Sequence, residues 1–360
     1  MHCAPCTPLL VWTLNEKSYQ MSESMTPGHL TDLWRRGTEF LGCQHAIMCG
    51  AMTWVSERNL VSAISNAGGF GVIACGSMTP DLLDAEIKAT AQLTSKPYGV
   101  NLITMHPDLD ELIQVCLRNS VTHVVLAGGL PSSASIKTLK EGGAKVICFA
   151  PALVIAKRLM KMGADALVIE GSEAGGHIGP VSTSVLAQEI LPAVTEVPVF
   201  VAGGIGRGEV VVNYLEMGAS GVQMGTRFVC AEESIAHPNF KKAFIRGNAR
   251  DAMPTVQIDK RFPVIPVRAL TNAGTEEFMA TQRAMIEKFV AGEIEQGAAQ
   301  LEIEHFWAGS LRRAVIEGDV ENGSLMAGQS VGMVKKEQPT VEIIAEIVDQ
   351  ANAALRKRNH

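Results

Sequence analysis

The chain has 360 residues, 47% of them apolar and 5% aromatic, with 34 glycines and a formal net charge of -6. This size fits one large α/β domain plus a smaller appendage, and a bias toward Gly, Ala, Val and Ile suits parallel sheet covered by helices better than a β-sandwich. The mild acidic balance argues against nucleic acid as a partner, and no apolar run reaches the length of a bilayer span.

Residues 1–25 read as a poorly ordered leader, because they lack a basic n-region and their apolar stretch 8–13 is too short for a secretory signal. With a functional start at Met21 or Met25, the expected compartment is the cytoplasm. The eight cysteines are scattered, and Cys3 and Cys6 have no second pair at zinc-site spacing, so no metal site is expected.

From residue 45 onward, short apolar runs alternate with amphipathic segments. Strands are expected at 45–49, 71–74, 99–103, 123–126, 145–149, 166–169, 199–202 and 221–224. Helices are expected between them, at 57–66, 80–93, 109–119, 133–141, 152–162 and 208–217. Eight strand–helix units with short loops predict a (β/α)8 TIM barrel over 26–234, with an open doubly wound sheet as the alternative. Beyond it, 235–310 shows long helical patterns at 275–290 and 294–307 without a convincing strand pair, which reads as a helical cap subdomain. Residues 311–360, closing with a helix at 340–356, are expected to pack back on the barrel.

The stretch 165–179, DALVIEGSEAGGHIG, organises the rest. Its apolar run has the β-branched content of a strand buried on both faces, and it breaks into a glycine-rich loop that carries His177. A lone imidazole beyond a strand's C-terminal end stands where barrel enzymes place their chemistry. Two later strands also end in glycine, at Gly203-Gly204 and Gly225-Thr226. As barrel strands seven and eight they are expected to hold a phosphate on backbone N–H groups, with the Thr226 hydroxyl as a further donor. Asn101 brings a side-chain amide to a strand end, and Gly50 with Ala51 leaves room for a planar ring against the first strand.

The ordered series MCGAMTWVS, SNAGGFGVIA, GVNL, EGSEAGGHIG, VAGGIG and QMGTRF resembles the nitronate monooxygenase (2-nitropropane dioxygenase) family, over about 41–333. That family includes FMN-dependent enoyl-acyl-carrier-protein reductases and NADH:quinone reductases. The resemblance implies a (β/α)8 barrel with noncovalent FMN under a helical cap. By it, Gly50, Ala51 and Met52 would touch the flavin ring, Asn101 and Glu170 its polar edges, and Gly175 and Gly176 the same cavity. Gly203, Gly204, Gln223, Met224, Gly225 and Thr226 would hold the ribityl phosphate, and His177 matches the catalytic histidine. Cys49 departs from an expected Gln or Ala, and Glu170 from the Gln of nitronate monooxygenases, as in the enoyl reductases. The stretch 254–268 lacks the histidine those reductases carry.

The reading favoured from sequence is oxidation of alkyl nitronates by O2, with His177 as general base or hydrogen-bond donor. The alternative is an enoyl-acyl-carrier-protein or quinone reductase with NAD(P)H as co-substrate; a barrel binding a phosphorylated ligand without redox work is the non-redox reading. The reductase would need an acidic carrier protein, for which Lys241, Lys242, Arg246 and Arg250 form a basic run. Otherwise the partner is a small-molecule substrate, and a homodimer is compatible with the resemblance.

Overall fold

The computed structural model describes residues 29–262 and 266–358; the expected leader at 1–25 lies outside them. Eight parallel strands form the barrel: β1 (Ile47–Cys49), β2 (Val72–Ala74), β3 (Gly99–Ile103), β4 (His123–Ala127), β5 (Lys145–Phe149), β6 (Ala166–Glu170), β8 (Val199–Ala202) and β9 (Gly221–Met224). Between β6 and β8 lies β7 (Gly176–His177), which belongs to another sheet. The barrel order is β1-β9-β8-β6-β5-β4-β3-β2. A parallel bridge between Met48 and Phe70 joins its two ends, with Phe70 N donating to Ile47 O at 2.9 Å and Cys49 N to Phe70 O at 2.9 Å. The doubly wound alternative is thereby excluded.

Local sequence accounts for the repeat. Ala166, Leu167, Val168 and Ile169 are all buried, as a strand covered on both faces requires. The helix Pro80–Leu93 starts with a Thr79 cap and Pro80 at its first position. The helix Leu109–Arg118 buries Leu112, Ile113, Val115 and Cys116, with acids in its first turn and Arg118 in its last, complementing the helix dipole.

The chain does not place a ring helix directly after β9. The helix Thr340–Arg358 takes that place, packing between the helices Gly208–Glu216 and Arg58–Asn66 and burying Ile343, Ile344, Ile347 and Ala351. Gly208 permits the approach, since a Cβ there would lie 2.1 Å from Ile347 O.

Over the barrel, a helical pair, Ala273–Val290 and Gln296–Arg312, encloses a small core of its own around Phe262, Phe278, Ala299 and Ile303. The region also holds strands that its sequence does not announce. β10 (Ala252–Pro254) and β11 (Val267–Leu270) pair antiparallel, and β11 pairs in turn with β7, opposite His177 and Gly176. This corrects the expectation of a purely helical segment. Three or four residues are too few to show an alternation, and Pro254 sits on an edge strand, where a missing N–H is tolerated.

Candidate active site

A cavity of about 1030 Å³ opens at the C-terminal ends of the barrel strands. Every residue expected to hold the flavin or to act on substrate lines it: Gly50, Ala51 and Met52 after β1, Asn101 in β3, Glu170 ending β6, and Gly175, Gly176 and His177 in the following loop. Gly203 and Gly204 after β8, with Gln223, Met224, Gly225 and Thr226 at β9, complete the set. Apolar side chains, among them Ile103, Met105, Leu130, Phe149 and Ile155, line the cavity from β3, β5 and the segments after β3, β4 and β5. Ile303 and Leu311 reach it from the helical pair.

Hydrogen bonds shape the walls. Ser56 Oγ donates to Gly50 O at 3.0 Å and accepts from Met52 N at 3.0 Å, fixing the turn after β1. Burial pushes the Cys49 thiol up to about 12, so this departure from the family pattern packs as a small hydrophobe. Asn101 Nδ2 donates to Val125 O at 3.2 Å, which leaves the amide oxygen for a ligand. Thr226 Oγ1 accepts from Gly328 N at 3.0 Å, and its own hydrogen remains available as a donor. Gly203 has φ +96, where any Cβ would be strained, and that Cβ would also lie 2.7 Å from Thr183 Oγ1.

His177 stands apart from the barrel sheet. It does not sit at the tip of the buried strand; Glu170 does, and the imidazole lies seven residues on, in β7. Its ring is exposed toward the cavity, and the surrounding protein still lowers its pKa by desolvation. Desolvation pushes the Glu170 carboxyl up to about 8. Glu170 and His177 are the only titratable side chains lining the cavity among the described residues.

Several features escaped sequence reasoning. Glu173 anchors the loop by accepting from Thr183 N and Thr183 Oγ1, both at 2.9 Å. Buried Arg268, on β11, donates from Nε to Ser172 O at 2.8 Å and from its guanidinium to Ala252 O. Trp54 lines the cavity with a positive φ of 68, uncommon for a bulky residue, and Arg312 lies 5.8 Å from its ring centroid. Met326, Gly328 and Ser330 form another part of the wall. Glu173 stood in the quoted motif; the contacts of Arg268 are long-range and leave no local signal.

Lys241 is buried against Glu337 at 2.5 Å, so the basic run loses it as a surface residue, while Lys242, Arg246 and Arg250 are exposed. Among the described residues no cluster of His, Cys, Asp or Glu is placed to hold a metal ion, and no helix is long and apolar enough to cross a membrane.

The chain matches the family model for nitronate monooxygenase over residues 35–113 and 108–350. Its fold is similar to that of FabK from Thermotoga maritima, with a TM-score of 0.81 and 36% identity, covering 90% of this chain and 98% of that one. It is 32% identical over 336 residues to the (3aS,4S,5R,7aS)-5-hydroxy-7a-methyl-1-oxo-octahydro-1H-indene-4-carboxyl-CoA dehydrogenase of Mycobacterium tuberculosis, covering 86% of this chain and 94% of that protein. Nitroalkane oxidase from Streptomyces ansochromogenes is 25% identical, with a TM-score of 0.74, covering 89% of this chain and 99% of that one. From its barrel to its final helix, the chain belongs to the nitronate monooxygenase family of FMN flavoenzymes, which includes the FabK-like enoyl reductases.

Proposed function

We propose that this chain is an FMN- and NAD(P)H-dependent oxidoreductase acting at the α,β carbon–carbon bond of an acyl thioester. The observation that carries this reading is the order of similarity. FabK at 36% and a carboxyl-CoA dehydrogenase at 32% stand nearer than a nitroalkane oxidase at 25%. This reverses the preference drawn from sequence alone. Glu170, which departs from the nitronate monooxygenase pattern, agrees with it.

The residues present fit the flavin. Small-molecule pockets span about 300–1,000 Å³, so a cavity of about 1030 Å³ has room for a cofactor together with a substrate. The Gly203, Gly204 and Gly225 backbone and the Thr226 hydroxyl offer donors for a phosphate, while Gly50, Ala51 and Met52 offer a low wall for a ring. Bound FMN would pass a hydride from the nicotinamide to the thioester's unsaturated bond, and the second hydrogen would arrive as a proton from solvent. The chain's own part is binding and polarisation. His177, kept neutral by desolvation, donates a hydrogen bond to the thioester carbonyl oxygen, and Ile303 and Leu311 of the helical pair put apolar surface on the cavity.

The test is NAD(P)H consumption by the purified yellow protein with enoyl thioesters of CoA and of an acyl carrier protein. A saturated product heavier by two hydrogens supports the reading; no turnover with either carrier sinks it. Nitronate oxidation remains the second reading, favoured by the family model and the nitroalkane oxidase.

A further inference from the structure

Glu170 closes β6 with its side chain at the cavity wall, and among the described residues its carboxyl has no hydrogen-bond or ion-pair partner. The groups that face it or approach from neighbouring elements explain why. Phe149 on β5 and Ala202 on β8 bring nothing that titrates. Glu173, three residues on, is engaged by Thr183, and the Arg268 guanidinium is committed to the Ser172 and Ala252 carbonyl oxygens. No Lys or Arg lines the cavity among the described residues, so His177 is the one other titratable neighbour there. A carboxylate in this place would be a charge that no cation or hydrogen-bond donor of the described residues holds, and a half-buried site without such a partner favours keeping the proton.

We propose that Glu170 works as an un-ionised carboxylic acid, donating a hydrogen bond to an acceptor atom on the edge of bound FMN, and that its ionisation weakens the hold on the cofactor. This rests on the flavin reading above and deepens it, giving the cavity a proton-dependent grip that a glutamine would lack. Desolvation of the group, which pushes it up to about 8, places the change just above neutral pH.

The experiment has two arms on the full chain, wild type and Glu170→Gln. Carbon-13 NMR of glutamate-labelled protein stripped of flavin follows the carboxyl directly. A resonance absent from the variant should titrate with a midpoint near 8. In the second arm, flavin fluorescence gives the FMN dissociation constant against pH. One-proton linkage predicts that wild type weakens about tenfold between pH 7 and pH 9 while the variant stays flat. A Glu170 resonance titrating in the ordinary carboxylate range, or a variant with the wild-type pH slope, overturns the proposal and leaves the flavin reading standing. A chain that takes up no FMN at any pH overturns both.

Discussion

Arg268 Nε donates to the Ser172 carbonyl oxygen at 2.8 Å, so the strand that pairs with His177 is also tied to the start of the loop that carries it. In the ladder, Arg268 faces Gly176 and Val267 faces His177. The imidazole thus hangs from a two-residue strand held at both ends. Arg268 does not itself line the cavity and acts through this placement.

Arg268→Gln should therefore retain FMN and the fold while kcat falls on the order of 100-fold, the cost of displacing a reacting group by about an ångström. Arg268→Lys, which can reach only one of the two carbonyls, should recover part of the loss. Flavin content, circular dichroism and the separate effects on kcat and KM check this. A loss confined to KM would contradict the positioning role.

His177→Ala should keep the flavin and lose roughly 10²- to 10⁴-fold in turnover, the range for a group that moves or holds a proton in the transition state. The surrounding protein lowers the wild-type imidazole by desolvation, so the ring is neutral at neutral pH and gains its second proton only below the ordinary histidine range, near 6.5. The protonated ring still donates a hydrogen bond, so kcat/KM should not fall with that protonation. An acid limb present in wild type and absent from His177→Gln would mark the ring as a base and contradict the donor role.

At Gly175, a Cβ would lie 2.5 Å from Gly328 N and 2.7 Å from the Ala327 carbonyl carbon. Both contacts are backbone, which moves reluctantly. Gly175→Ala should cost about 1–3 kcal/mol, as overpacking usually does, and lower flavin retention because the 326–330 wall shifts. Urea unfolding of both proteins measures the first effect; wild-type stability would show that the wall yields freely.

At the opposite end of the barrel, His123 has Nε2 at 2.9 Å from Phe40 O and Nδ1 at 2.9 Å from Thr122 Oγ1. Burial pushes this imidazole down to about 4 from its ordinary 6.5. The unfolded chain then binds the proton first, so His123 supports the fold fully above about 6.5 and progressively less as the pH falls toward 4. The whole effect is about 3 kcal/mol. Unfolding measured at pH 7 and pH 4 should show a shallower acid loss in His123→Gln than in wild type.

The eight barrel strands were legible because each is an apolar, β-branched run bounded by glycine or polar turns, as in Ala166–Glu170. Once their ends are known, barrel topology gathers those ends at one mouth, and so Asn101, Glu170, Gly203 and Thr226, far apart in sequence, line one cavity. What stayed hidden is held by long-range contacts. The ladder of β7 with β11 spans some ninety residues of chain and rests on segments too short for a pattern. Arg268 likewise reads as one more surface charge until its two carbonyl partners are in place. His177 was visible as chemistry, but the strand that bears it was not.

The most direct measurement is an anaerobic double-mixing experiment on the yellow protein. NAD(P)H is added first and the flavin absorbance followed; the bleached protein is then mixed with an enoyl thioester or with an alkyl nitronate. The account predicts rapid bleaching by NAD(P)H and return of the oxidised band on adding the enoyl thioester. A flavin indifferent to NAD(P)H and bleached by the nitronate alone would contradict it.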